Sequence, residues 1–190
     1  MKRPYNQKRR AEQAAETRQR IVEAAIQLHG TIGPARTSLS MVAARAGVQR
    51  HTLYAHFPDE RAMAMACSGE AFVADPPPDA ANWQALAAGS ERLAVGIAAI
   101  YGWYARNATL MACVLRDAES HPLTGEIVAL RMGAGVAAWH DALGEGLGAA
   151  PRAMLHAMLG FFTWRALGAE NGLAPEAAAA LAVRAILAAG

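Results

Sequence analysis

Residues that favour β-strands are scarce in this 190-residue chain. Aromatic side chains make up 6% of it, Val, Ile and Thr are sparse, and no segment alternates apolar and polar residues with a period of two. That excludes a sandwich, a barrel or a parallel sheet. Cysteine is nearly absent: Cys67 and Cys113 stand far apart, in no C-x-x-C pattern. Neither a disulfide framework nor a zinc site is indicated, so both read as buried or free thiols in a reducing compartment. The longest uncharged apolar run, residues 93–105, is shorter than the roughly 20 residues that cross a bilayer. The first residues are charged and polar, without the apolar stretch of a signal peptide, so no membrane partner and a cytoplasmic location are expected. G-x-S-x-G, H-E-x-x-H, the phosphate-binding loop and G-x-G-x-x-G are all missing, and the six histidines are scattered. The chain is therefore not read as an enzyme and needs no cofactor. Glu119, His121, His140 and Glu145 match no metal-ligand spacing and read as solvated or capping groups; no metal is expected.

What remains is a chain 54% apolar and 18% charged, rich in alanine and leucine. This is the composition of a globular all-α protein. The net charge of +2 conceals an asymmetry. Residues 1–61 hold 11 Lys/Arg against 5 Asp/Glu, a net +6, while residues 62–190 hold 7 against 11, a net −4. A basic first third suits a polyanionic partner at that end. Residues 1–10 have five positive charges and no apolar periodicity, and are expected to be a disordered basic arm. Helical spacing then predicts helices over about 11–29, 39–46 and 49–56, and a fourth from near Pro58 to the triple proline at 76–78. Five more follow over about 82–105, 108–118, 122–146, 152–169 and 175–189, divided at Asn107, His121-Pro122, residues 148–151 and residues 172–175. The expected organisation is an arm (1–10), a three-helix domain (11–57) and a C-terminal helical bundle (58–190).

The segment from Ser38 to Phe57 carries the chemistry. Ser38 and Ser40 stand where a helix N-cap is wanted. Val42, Ala43 and Ala46 give an apolar face, and the small Ala43 allows a second helix to approach closely. Gly47 can adopt a positive φ at the turn, and Val48 and Leu53 supply the buried side of the next helix. These are the packing rules of a helix-turn-helix. The second helix is too short to be stable alone, yet its outward side is rich in hydrogen-bonding groups: Gln49, Arg50, His51, Thr52, Tyr54 and His56. Gln and Arg pair with adenine and guanine edges in the major groove, Thr meets a thymine methyl, and Tyr and His serve phosphates.

Residues 37–63, TSLSMVAARAGVQRHTLYAHFPDERAM, resemble the DNA-binding signature of the tetracycline-repressor (TetR) family, most specifically in Gly47-Val48, Thr52-Leu53-Tyr54 and His56-Phe57. Thr17-Arg18 leading into Ile21, Ala24 and Ala25 fits the preceding helix, and FFTWRAL at 161–167 with its Ala-rich last helix is similar to the family's end. The resemblance implies about nine helices, a homodimer on a palindromic double-stranded operator, and a C-terminal domain that senses a small molecule. It implies that Ser38 and Ser40 touch phosphate or cap, that Gln49, Arg50, His51 and Thr52 face bases, and that Tyr54 and His56 face the backbone. His51 stands where the family often has Gly. Glu60 stands where it usually has a phosphate-gripping Lys, which leaves Arg61 as the substitute.

Stripes of Leu93, Ile97, Ile100 and Tyr104, and of Ile127, Leu130, Ala134 and Trp139, read as core. A bundle with several mid-helix aromatics also offers an apolar cavity for a hydrophobic or aromatic effector, with Trp103, Tyr104, Met111, Leu115 and Trp139 as lining candidates. Met154, Leu155, Met158, Phe161 and Phe162 make a wide apolar face beside a small-residue last helix, a pair suited to packing against a two-fold copy. The expected function is a ligand-released dimeric repressor. The alternative is a constitutive or nonspecific DNA-binding protein without ligand sensing.

Overall fold

The computed structural model describes residues 3–190. Among them nine α-helices follow in order: α1 (Arg3–Thr31), α2 (Leu39–Ala46), α3 (Arg50–His56), α4 (Glu60–Ala74), α5 (Ser90–Ala118), α6 (Pro122–Gly144), α7 (Ala149–Met158), α8 (Phe161–Leu167) and α9 (Pro175–Ala188), with three short 3-10 turns and no strand. The all-helical expectation holds. The chain packs as two compact units, one of residues up to Ala74 with Cys113–Ile127, the other of Asp75–Ala112 with Val128–Gly190. The first therefore extends beyond the boundary expected at residue 57: it takes in α4, the end of α5 and the start of α6.

Four helix boundaries differ from expectation, each for a local reason. Residues 3–10 are helical, the first turns of α1, where a disordered arm is expected; the arm's residues 1–2 lie outside the described residues. Pro4 falls in the first turn, where proline is tolerated. Asn107 does not divide α5, because its amide donates back to the Trp103 carbonyl (3.0 Å) and sideways to Asp75 (2.8 Å), leaving the helical ladder intact. The helix expected from residue 82 begins at Ser90, residues 80–83 forming a separate 3-10 turn that Asp79 caps by accepting from the Ala81 N–H. Residues 152–169 are two helices: Gly160 is extended (φ −69°, ψ 136°) and begins α8 as its N-cap.

The core of the N-terminal unit is Ile21, Val22, Ala24 and Ala25 of α1, Val42 and Ala43 of α2, Leu53 and Phe57 at α3, and Met63 and Cys67 of α4. Cys67 and Cys113 are free thiols, and burial pushes the Cys67 thiol up to about 12, where it is inert. In the C-terminal unit Leu93, Ile97, Ile100 and Tyr101 of α5 are fully buried, as are Leu155 and Ile186. The small-residue stripe of α9 (Ala178, Ala179, Ala182) is buried, and α9 packs on α7 of the same chain. Among the described residues no helix is long and apolar enough to cross a membrane, and no group of three or more His, Cys, Asp or Glu side chains gathers as a metal site.

Candidate DNA-reading surface

Local sequence shapes α2 and α3. Ser38 caps α2, its hydroxyl accepting from the Met41 N–H at 3.3 Å, so the capping role expected of it is occupied by its own helix. Gly47 ends α2 in the left-handed conformation (φ 65°, ψ 37°). The Val48 N–H then reaches back to Ala43 O at 3.0 Å and the Gly47 N–H to Ala44 O at 3.2 Å, a paired closure that satisfies the last carbonyls of α2. The turn launches α3, whose one buried side chain is Leu53. A seven-residue helix has too few hydrogen bonds to stand alone, so burial of Leu53 and Phe57 fixes its position. Truncating Leu53 to alanine removes about 2–5 kcal/mol.

Everything else on α3 is offered outward. Gln49, Arg50, His51 and Tyr54 are exposed, and Thr52 and His56 half-buried. Gln49 is the N-cap residue by backbone alone, with no side-chain cap bond, so its amide is left for another partner. Ser40, half-buried on α2, and exposed Met41 complete the surface beside Ser38. Arg61 is placed differently from the other candidates. It forms an ion pair with Glu126 at 2.6 Å, which holds its guanidinium above its ordinary range. Both partners are about half exposed, so a phosphate would compete with a solvent-screened carboxylate. Asp59 supplies the α4 cap that the sequence reading lacked, accepting from the Ala62 N–H at 2.7 Å.

The joint leading into α2 is held by side chains of α5's last turns. Asp117 accepts from the Ala35 N–H at 2.9 Å, Arg116 donates to Ile32 O at 3.1 Å, and the Cys113 thiol lies 3.4 Å from Gly30 O. Burial works against ionising Asp117, but the Ala35 N–H and the Arg116 guanidinium together outweigh it and hold the carboxyl below its ordinary value. None of these three residues was a sequence candidate; their partners lie some 80 residues away, and no local pattern signals such contacts.

In the C-terminal unit, Trp103, Tyr104 and Trp139 pack together. Trp103 and Trp139 meet edge-on at 6.2 Å, and Tyr104 touches both. Phe161 and Trp164 join the same cluster through Tyr104, at 5.4 and 5.8 Å. Main-chain carbonyls satisfy most polar tips: Trp103 on Asp75, Trp139 on Pro78, Tyr104 on Leu159 and Tyr101 on Met158. Burial raises both tyrosine hydroxyls above their ordinary value. Met111 is buried; Leu115 belongs to the N-terminal unit and not to this cluster. Of the expected dimer residues, Leu155 and Phe161 are buried within the chain and Phe162 is 37% exposed, while Met154 and Met158 are half-buried. The stripe expected along one helix is split at Gly160, so these five residues do not share one face of one helix.

Residues 21–67 match the family model described as bacterial regulatory proteins, tetR family, and this span covers α2, the Gly47 turn, α3 and their core. This stretch is similar to the DNA-binding region of TetR-family transcriptional regulators. The fold of the chain is similar to that of the transcriptional regulator FadR from Bacillus subtilis, solved in complex with stearoyl-CoA: TM-score 0.65 at 16% identity, over 90% of this chain and 98% of that one. A structure described as a TetR-family transcriptional regulator from Mesorhizobium loti is 20% identical over 92% of this chain and 96% of its own, with a TM-score of 0.48. No curated protein sequence matches.

Proposed function

We propose that this regulator binds a palindromic operator as a homodimer, with α3 in the major groove, and that a small apolar effector releases it. The observation that carries the DNA reading is the division of α3. Leu53, with Phe57 at the C-cap, anchors the helix, while Gln49, Arg50, His51 and Thr52 form no side-chain hydrogen bond to any other described residue. Their donors and acceptors suit base edges, with Tyr54, His56 and Ser40 toward phosphates. In the dimer the two recognition helices sit about 34–36 Å apart, one turn of B-DNA. Phe162 is the exposed apolar anchor we assign to the subunit contact, with Met154 and Met158 at its margin. Selection of bound sequences from random DNA tests the proposal. Enrichment of an inverted repeat supports it, and no enrichment refutes specific readout.

For release, the effector binds the C-terminal unit beside Trp103, Tyr104 and Trp139, or parts them, and favours a subunit arrangement mismatched to the operator. The FadR of similar fold, crystallised with stearoyl-CoA, makes long-chain acyl thioesters the first compounds to try. The satisfied polar tips of Trp103, Tyr104 and Trp139 favour a second reading, a constitutive regulator whose cluster is simply core. Titration of operator complexes with acyl-CoA and planar aromatic panels separates the two, since loss of complex supports release and indifference throughout favours the constitutive form.

A further inference from the structure

α1 is longer than its packing requires. Its side chains enter the core between Thr17 and Val22, and Arg18 lies over the Phe57 ring, 4.9 Å from its centroid, at the C-terminal end of α3. On the N-terminal side of that point every residue from Gln7 to Glu16 is exposed. Residues 3–16 thus add about 21 Å of helix at 1.5 Å per residue, beginning beside α3 and preceding the family match at residue 21. A helix of this length is marginal in water without a partner. The apolar groups it offers between Gln7 and Glu16 are three alanines, so over those residues it has no apolar face for a membrane or a protein groove. What it has is charge: residues 1–20 contain seven Lys/Arg and two Asp/Glu, a net +5. The first turn holds no acidic residue. Cations at a helix N-terminus oppose the macrodipole and cost helix stability, and the positive field of the dipole adds to theirs. That combination is unfavourable for a free helix and favourable for one that meets a polyanion.

We propose that the first four turns of α1 are a phosphate-gripping arm, extending each subunit's hold on DNA past the base pairs read by α3. The inference rests on the DNA-binding reading above. The arm's length spans somewhat more than half of a 34 Å helical turn, and Lys8, Arg9 and Arg10 are the side chains assigned to phosphates. Lys8 is 78% exposed and only loosely paired with Glu12 at 3.9 Å.

The test is the salt dependence of affinity for the sequence that the wild-type protein selects. Neutralising three phosphate contacts in the Lys8→Gln/Arg9→Gln/Arg10→Gln variant lowers the slope of log K against log salt by about 2–3 per subunit, with the selected sequence unchanged. The charge-preserving Lys8→Arg/Arg9→Lys/Arg10→Lys variant keeps the wild-type slope. An unaltered slope in the glutamine variant overturns the proposal, and so does a changed selected sequence, which would move these residues to bases. If the wild-type protein selects no sequence, the helix-turn-helix reading itself fails. That outcome is distinguished by the missing wild-type binding, and the arm falls with it.

Discussion

Gly33→Ala should destabilise the N-terminal unit far more than Gly47→Ala, although both glycines have positive φ. At Gly47 (φ 65°) an added Cβ would meet nothing within 4 Å, so the cost is the left-handed backbone alone, about 1–2 kcal/mol. Gly33 has φ 94° and ψ 156°, a region open essentially to glycine alone that costs other residues about 1–3 kcal/mol. There an added Cβ would also collide with the Asp117 carboxylate and the Arg116 guanidinium. Asp117 is buried, with its side chain 7% exposed, and must move away from the Ala35 N–H to admit a methyl. Losing that charged hydrogen bond costs about 1.5–3 kcal/mol, so Gly33→Ala totals about 2.5–6 kcal/mol. Urea unfolding followed by far-UV circular dichroism measures it, the midpoint falling by on the order of 1–2 M. All four tryptophans lie in the C-terminal unit, so their emission reports on that unit and serves as the second probe. In an Asp117→Ala background the carboxylate is gone and only the far end of the flexible, half-exposed Arg116 side chain has to give way, so Gly33→Ala should then cost little beyond its backbone share. Equal costs for the two glycine variants, or additivity in the double-mutant cycle, would refute the reasoning.

Three other outcomes are expected. Burial, opposed by the charge of Asp117, lowers His29 from 6.5 to about 4. Between those values the unfolded chain binds the extra proton, so the stabilisation is complete above pH 6.5 and is lost as pH falls toward 4. It amounts to on the order of 3 kcal/mol; denaturant midpoints measured across this range should flatten in His29→Phe, and an unchanged slope would remove His29 as the cause. Arg50→Ala should cost about 1–3 kcal/mol of operator affinity and relax preference at one base pair; uniform weakening on all sequences would move Arg50 to a phosphate. Phe162→Glu, at a 37% exposed position, should convert dimer to monomer in sedimentation velocity while leaving helicity intact, and a persistent dimer would place the subunit contact elsewhere.

The parts of this protein legible in its sequence are those whose causes lie within a few residues. Ser38 caps the helix that begins at the next residue, Gly47 ends it, and Leu53 must be buried because seven residues cannot hold a helix otherwise. Hence α2, the turn and the outward set on α3 could be read directly. Asn107 misled because a polar residue inside an apolar run looks like a break, whereas its amide is consumed by Trp103 and Asp75. Gly160 was passed over for the opposite reason, since the apolar periodicity continues across it while the backbone does not. The face expected from Met154 to Phe162 was drawn on a continuous helix, so the break redistributes it and turns Leu155 and Phe161 into their own subunit.

Arg61 sets the boundary of what local pattern can decide. Its place after the helix-turn-helix makes it a natural phosphate ligand, but Glu126, 65 residues on, already holds it. Glu60 cannot grip phosphate and Arg61 must first exchange partners, so on the proposed operator reading a basic contact at the start of α4 would be weak. The surplus of positive charge lies instead on α1. If α1 supplies the missing phosphate contacts, Glu126→Gln should strengthen DNA binding only modestly, whereas neutralising Lys8, Arg9 and Arg10 weakens it strongly. The reverse order would return the phosphate contact to Arg61 and leave the length of α1 unexplained.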